Sequence, residues 1–342
     1  MLRDARMRKI VFLFVLMATG PVVASTLFDD HSVLEVTLTG PLSSVIADKR
    51  KREQRPFVLS ANGETFNVNV RIRGNSRVQA CPFPPLRLNF KKGELKETSL
   101  EGEDKLKLVT HCRNGSEGAQ DSVLNEYSAY RAFEAISPFA YRVRLLKVNY
   151  VDTDGKQPRL AEPQYGFLIE SDEGLAKRLG GQVEKPAGIA ISDLNPNQAA
   201  QMSLFQYFIG NVDWSFVKAD DADTCCHNLD LIRVDGKLLT VPYDFDLAAI
   251  TRANYRRMGN RLEVSSRRDY TGYCGLSADS LMSAMDKMQQ RQDDIVAVMQ
   301  EVPTIAERNR ERRVSFAVDF FDELADRDRL MTKFENSCIG ER

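Results

Sequence analysis

Asp213, Asn228 and Asp244 have the residue types and the order that metal-assisted phosphoryl transfer requires. One carboxylate takes the proton of an attacking hydroxyl, while an amide and a second carboxylate hold Mg2+ against a triphosphate. All three fall within residues 211–246, which read N-V-D-W, then His227-Asn228, then P-Y-D-F-D. Residues 229–234 and 237–241 are rich in Leu, Ile and Val and flank Asp235-Gly236, a strong two-residue turn signal. With that turn Val234 pairs with Lys237 and Asn228 falls opposite Tyr243, so Asn228 and Asp244 share the open end of a hairpin. Strict pleating would point the two side chains to opposite faces, so the ladder must relax or bulge to aim both at one cation. His227 reads as a hydrogen-bonding residue that orients this loop, and Trp214 as core packing beside Asp213. The other histidines, His31 and His111, give no zinc-ligand spacing with it, which argues against a zinc site.

The elements that must position these groups change character along the chain. Alternation over residues 33–39 predicts a strand with Leu34, Val36 and Leu38 on one face. Residues 48–55 are a charged run, read as an exposed turn or arm. Strands are expected at 57–59 and 65–73, split by an Asn62-Gly63 turn, and again at 86–90, 105–110, 141–151 and 164–170. Residues 123–136 have helical periodicity. The result is an antiparallel sheet crossed by one helix. Beyond it, 197–210 is a helix with a good start signal at Asn195-Pro196, and the chain from 277 onward is mostly helical, at 279–300 and 306–336.

Arg3, Arg6, Arg8 and Lys9 precede a short apolar run and a small-residue site ending at Ala24, the pattern of a signal peptide. The expected organisation is a signal peptide at 1–24, a β-rich N-lobe at 25–172 and a C-lobe at 173–342. Cleavage would remove four basic residues and one acidic residue from the 47 and 48 of the whole chain, for a net charge of about −4. That balance gives no general attraction to nucleic acid or anionic membrane, and no later segment is apolar enough to be transmembrane. Six cysteines in an exported chain favour disulfides. Cys81 and Cys112 are a candidate pair. Cys225 and Cys226 are expected to reach distant partners such as Cys274 or Cys338 rather than each other.

Motifs along the chain then carry a family resemblance: R-I-R-G-N-S-R at 71–77, L-R-L-N-F at 86–90, S-V-L-N-E-Y-S-A-Y at 122–130 and Y-G-F-L-I-E at 165–170. G-N-V-D-W at 210–214, H-N at 227–228 and P-Y-D-F-D at 242–246 follow in order. Together these resemble the CotH family of atypical spore-coat protein kinases, over roughly residues 33–250. The resemblance implies an α+β, protein-kinase-like two-lobe fold, with a β-rich N-lobe and a mainly helical C-lobe. It also implies transfer of phosphate from ATP with Mg2+ to a protein Ser or Thr hydroxyl, the protein substrate being unspecified. By motif, Asp213 stands as catalytic base, Asn228 and Asp244 as Mg2+ ligands, and Asp246 as a supporting or additional metal carboxylate. Arg73, Gly74, Asn75 and Ser76 would cover the nucleotide phosphates, Arg87 would be the phosphate-contacting base, and Glu126 its carboxylate partner. Two other classes stay open: an inactive kinase-like binding or envelope-assembly protein, and a phospho- or nucleotidyltransferase acting on a glycan or small molecule.

Overall fold

The computed structural model describes residues 27–156, 160, 162–216, 225–253 and 268–340. The leader and its cleavage site lie outside the described residues. The chain opens with β1 (Leu34–Gly40), α1 (Leu42–Ala47), β2 (Arg55–Ala61) and β3 (Glu64–Ile72). It continues with α2 (Ser76–Ala80), β4 (Leu86–Phe90), β5 (Lys105–Val109) and the long helix α3 (Glu117–Ile136). Strands β6 (Val143–Asp152) and β7 (Gln164–Ile169) complete the first sheet. After α4 (Asp172–Arg178), the short β8 (Gln182–Glu184) and α5 (Pro196–Ile209) lead to the hairpin β9 (Leu229–Val234) and β10 (Lys237–Pro242). Four helices end the described chain: α6 (Ala278–Gln290), α7 (Gln292–Glu301), α8 (Glu307–Leu324) and α9 (Arg327–Ser337).

The first sheet closes on itself, in the order β1-β2-β3-β4-β5-β7-β6. Closure comes from β1, which pairs antiparallel with β2 and parallel with β6, in register from Leu34↔Leu146 to Gly40↔Asp152. This overturns the kinase-like two-lobe expectation: the molecule is a closed seven-stranded mixed barrel, a separate three-stranded sheet and a helical C-terminal region. The alternating pattern of each strand is the same in an open sheet and a barrel, and only the non-local β1–β6 pairing distinguishes them. Period-2 alternation sends Val68, Val70, Ile72, Leu86, Leu88, Leu106 and Leu108 into the barrel, where they are buried together.

Helix α3 packs away from the barrel interior, into a second core shared with α5, the hairpin and the C-terminal helices. Its start is capped by Ser116, whose side chain accepts from the Ala119 N–H. Helix α5 is buried from Gln198 to Ile209 and is likewise capped, by Asn195 with Pro196 in the first turn. It ends at Gly210 with φ 64°, the left-handed C-cap that glycine adopts without strain. The expected helix at 279–300 is two helices, broken at Arg291, and the segment 306–336 divides between α8 and α9.

The cysteines form three pairs: Cys81–Cys112, Cys274–Cys338 and the adjacent Cys225–Cys226, the last across a cis peptide bond. The first fits the expectation, and the vicinal pair corrects it. Among the described residues no helix is long and apolar enough to cross a membrane. Both observations are compatible with an exported chain.

Candidate functional site

The hairpin has the register the turn implies, with Val234 opposite Lys237 and the Tyr243 N–H donating to the Asn228 carbonyl at 3.1 Å. Asn228 and Asp244 therefore sit at one open end. Both depart from strand geometry, with φ 53° at Asn228 and 61° at Asp244. Left-handed backbone at two non-glycine residues is uncommon, and Asn and Asp are the types that tolerate it best. At both positions the backbone therefore leaves the regular ladder.

Asp213 arrives from the other side. Gly210 turns the chain out of α5, and the Asn211 side chain accepts from the Asp213 N–H at 3.1 Å and donates to Gln206 at 3.0 Å. Trp214 is buried, its indole N–H donating to the Asn211 carbonyl at 3.1 Å, so it locks the turn that presents Asp213. The two strands around this turn are tied by paired backbone bonds between Ser215 and His227, each 3.1 Å. His227 Nε2 lies 2.9 Å from one Asp213 carboxylate oxygen, and the Asn228 amide donates to the other at 3.0 Å. The same amide nitrogen donates to the Asp213 carbonyl at 2.7 Å. Asp213 is thus held on both oxygens while remaining 18% exposed.

These contacts commit the Asn228 nitrogen to Asp213 and leave its amide oxygen to serve as a ligand. The Asp244 carboxylate makes no hydrogen bond or ion pair among the described residues, while its backbone N–H donates to the Tyr130 hydroxyl at 2.8 Å. An amide oxygen and a half-buried carboxylate are the hard oxygen donors that suit Mg2+, which takes one or two protein carboxylates and completes its shell with phosphate and water. A set of three or more His, Cys, Asp and Glu side chains arranged for a metal is absent among the described residues.

Asp246 is engaged by an arginine. It is buried and faces Arg77 at 3.9 Å, beside Glu126, whose carboxylate is 3.4 Å from the same guanidinium. Arg77 also donates to the Thr110 carbonyl at 2.7 Å. Burial pushes the Glu126 carboxyl up to about 7 even though Arg77 opposes the shift. The partner of Glu126 is therefore Arg77 rather than Arg87. The trio helps line a cavity of about 160 Å3, together with Ser116, Ser122 and Thr251.

The R-G-N-S turn has Gly74 at φ 87°, a conformation that glycine adopts without strain. Arg73 is half-buried, and its charge bears on Glu126, Tyr130 and Tyr243, the residues around Asp244. Asn75 and Ser76 are exposed at the start of α2 and point to no other member of the site; the Asn75 side chain is taken by Arg52 at 2.9 Å. Arg87 is half-buried, and burial together with the nearby Arg73 charge lowers its guanidinium below the ordinary value.

Two cations that flank Arg87, namely Arg71 and Lys107, escaped sequence reasoning. Arg71, Arg87 and Lys107 stand directly opposite one another on β3, β4 and β5, on the outer face of the barrel. Like charges opposed across strands destabilise a sheet unless an anion or acid intervenes. Lys107 finds Asp172 at 3.6 Å and stands 5.1 Å from the Tyr243 ring, next to Asp244. The signal was the alternation in K-L-K-L at 105–108, which puts Lys107 in line with Arg87 once the strands are registered. Lys107 at the end of this row is the member that reaches the hairpin, through the ring of Tyr243. Comparison with known protein families finds none whose pattern matches the chain, and comparison with curated proteins finds no match.

Proposed function

We propose that this chain is an exported, CotH-like phosphotransferase that moves a phosphoryl group from Mg-ATP to a protein Ser or Thr hydroxyl. The observation that carries the reading is the meeting of Asn228 and Asp244 at one hairpin end, with Asp213 clamped to Asn228 beside them. Asp213 would orient the acceptor hydroxyl and take its proton as oxygen attacks the terminal phosphorus and the bond to the leaving phosphate breaks. His227 and Asn228 keep its carboxylate in one orientation during that step. Arg73 and Arg87, with Lys107, would balance phosphate charge from the barrel side. Asn228 and Asp244 would hold Mg2+, which supplies neutralisation of the charge on the transferring group.

Both oxygens of Asp213 already accept hydrogen bonds, and this favours one second reading, a nucleotide-binding protein that performs no transfer. Calorimetry of ATP binding to the oxidised chain, with and without Mg2+, tests the shared premise. Mg2+-dependent binding that disappears in Asp244→Asn supports the site, and absence of binding in the unaltered chain overturns it. Label transfer from γ-labelled ATP to protein then separates the enzyme from the binding protein.

A further inference from the structure

The charged run at 48–55 holds five basic residues, Lys49, Arg50, Lys51, Arg52 and Arg55, against Asp48 and Glu53, in a chain of net charge −1. It is not a loose arm. Lys49 donates to the Cys81 carbonyl at 3.2 Å, and Gln54 accepts from Asn89 on β4 at 3.2 Å. Arg52, with φ 55°, donates to the Gly74 carbonyl at 2.7 Å and to the Asn75 side chain at 2.9 Å. The arm is therefore fastened along the outside of the Gly74 turn, one residue from Arg73.

This arrangement brings cations together. The two acids of the run are used internally, Asp48 on Lys51 and Arg55 and Glu53 on Arg55. Arg50 makes no ion pair among the described residues, and Arg50, Lys51 and Arg52 are all exposed. Seating a segment with a net excess of basic residues on a turn that itself carries Arg73 raises the local positive potential beside the site, which favours an anionic partner.

We propose that residues 49–52 are a docking site for acidic polypeptide, holding an Asp- or Glu-rich stretch of the protein acceptor next to the Gly74 turn. The inference rests on the phosphotransferase reading, of which it specifies the acceptor. A peptide fits better than a membrane surface: the cations form one short strip, and the large apolar side chains that stand exposed among the described residues, Val151, Ile305, Val318 and Ile339, belong to other segments.

The test is fluorescence anisotropy with two dye-labelled serine peptides, one flanked by Asp and Glu and one by Lys, added to the full oxidised chain without nucleotide. The acidic peptide should bind selectively and release as salt is raised. Arg50→Glu with Lys51→Glu should weaken it about tenfold. Circular dichroism and Mg-ATP calorimetry on the same variant should be unchanged. Equal binding of the two peptides, or acidic-peptide binding indifferent to the charge reversal, overturns the proposal. So does capture of phosphatidylserine vesicles with no peptide binding. Because docking is read without nucleotide, a failure of ATP binding overturns the phosphotransferase reading and leaves a result that the peptide titration does not depend on.

Discussion

The Asn228 amide nitrogen donates to both the backbone carbonyl and the carboxylate of Asp213, at 2.7 and 3.0 Å. One side chain thus fixes the direction of the acid from the hairpin end that it shares with Asp244. On the proposed function, base and metal ligand would be coupled through a single amide. Asn228→Ala removes a charge-assisted hydrogen bond worth roughly 1.5–3 kcal/mol and also the proposed ligand oxygen. Asn228→Asp keeps an oxygen ligand but sets a second carboxylate against Asp213. Both variants should lose transfer, while Mg-ATP binding, read by calorimetry, should survive better in the Asp variant. Equal binding in the two would detach Asn228 from the metal.

At Asp244 charge and backbone can be separated. Its φ of 61° is tolerated by Asn about as well as by Asp, whereas Ala adopts it at a penalty of roughly 1–2 kcal/mol. Asp244→Asn should therefore melt close to the unaltered chain, and Asp244→Ala a few degrees lower. Mg2+-dependent nucleotide binding should be lost in both. A melting difference without a binding loss would mark Asp244 as a turn residue alone.

The hairpin was legible because Asp-Gly fixes register by counting, and Asn228 does lie opposite Tyr243. The orientation of Asn228 and Asp244 was not, since it depends on two left-handed residues whose side chains would equally suit ordinary loop positions. The barrel was hidden for a different reason. Its closing contact joins Leu34 to Leu146 across more than a hundred residues, and neither strand carries a mark of its parallel partner. Arg77 was legible as part of the R-G-N-S-R turn, but its burial against Glu126 depends on where α3 lands on the barrel. Vicinal pairing of Cys225 and Cys226 also went unread, because cysteine count constrains connectivity very little.

Arg77 is the only cation among three buried charges, with Glu126 and Asp246 as its carboxylates. Arg77→Met would fill a similar volume and leave both acids without their guanidinium, a change expected to cost about 3–5 kcal/mol. Chemical denaturation should show the loss as a lower midpoint at unchanged slope. Adding Glu126→Gln should recover part of it by removing one buried charge. A double variant as unstable as the single one would mean that packing, not charge balance, is what Arg77 provides.

The three disulfides should differ sharply in what they contribute to global stability. Cys81–Cys112 and Cys274–Cys338 close loops with sequence separations of 31 and 64, and the chain-entropy model assigns each about 4 kcal/mol. Cys225–Cys226 joins neighbours and closes no loop. Paired Cys→Ser substitution should lower Tm strongly for the first two and little for the third. A large drop for the vicinal pair would show that it holds tertiary structure rather than only its own turn.

His111 is fully buried on Phe83, 4.5 Å between ring centroids, with Nε2 2.7 Å from the Asn114 side chain. Burial lowers its folded-state pKa from 6.5 to about 4. The unfolded chain therefore binds a proton between those values that the folded chain does not, and folding free energy is lost as pH falls from about 6.5 to about 4. Glu103 and Glu134, raised by burial to about 7, act in the opposite sense over 4.5 to 7, losing stability as pH rises. The whole-protein curve mixes these effects, but the difference between the unaltered chain and His111→Phe isolates one of them. Denaturation midpoints should show the variant gaining on the unaltered chain as pH is lowered through 6.5, by on the order of 3 kcal/mol at pH 4. A pH-independent difference would mean that His111 takes up its proton over the same pH range in the folded and unfolded states, its neighbours accommodating the charge.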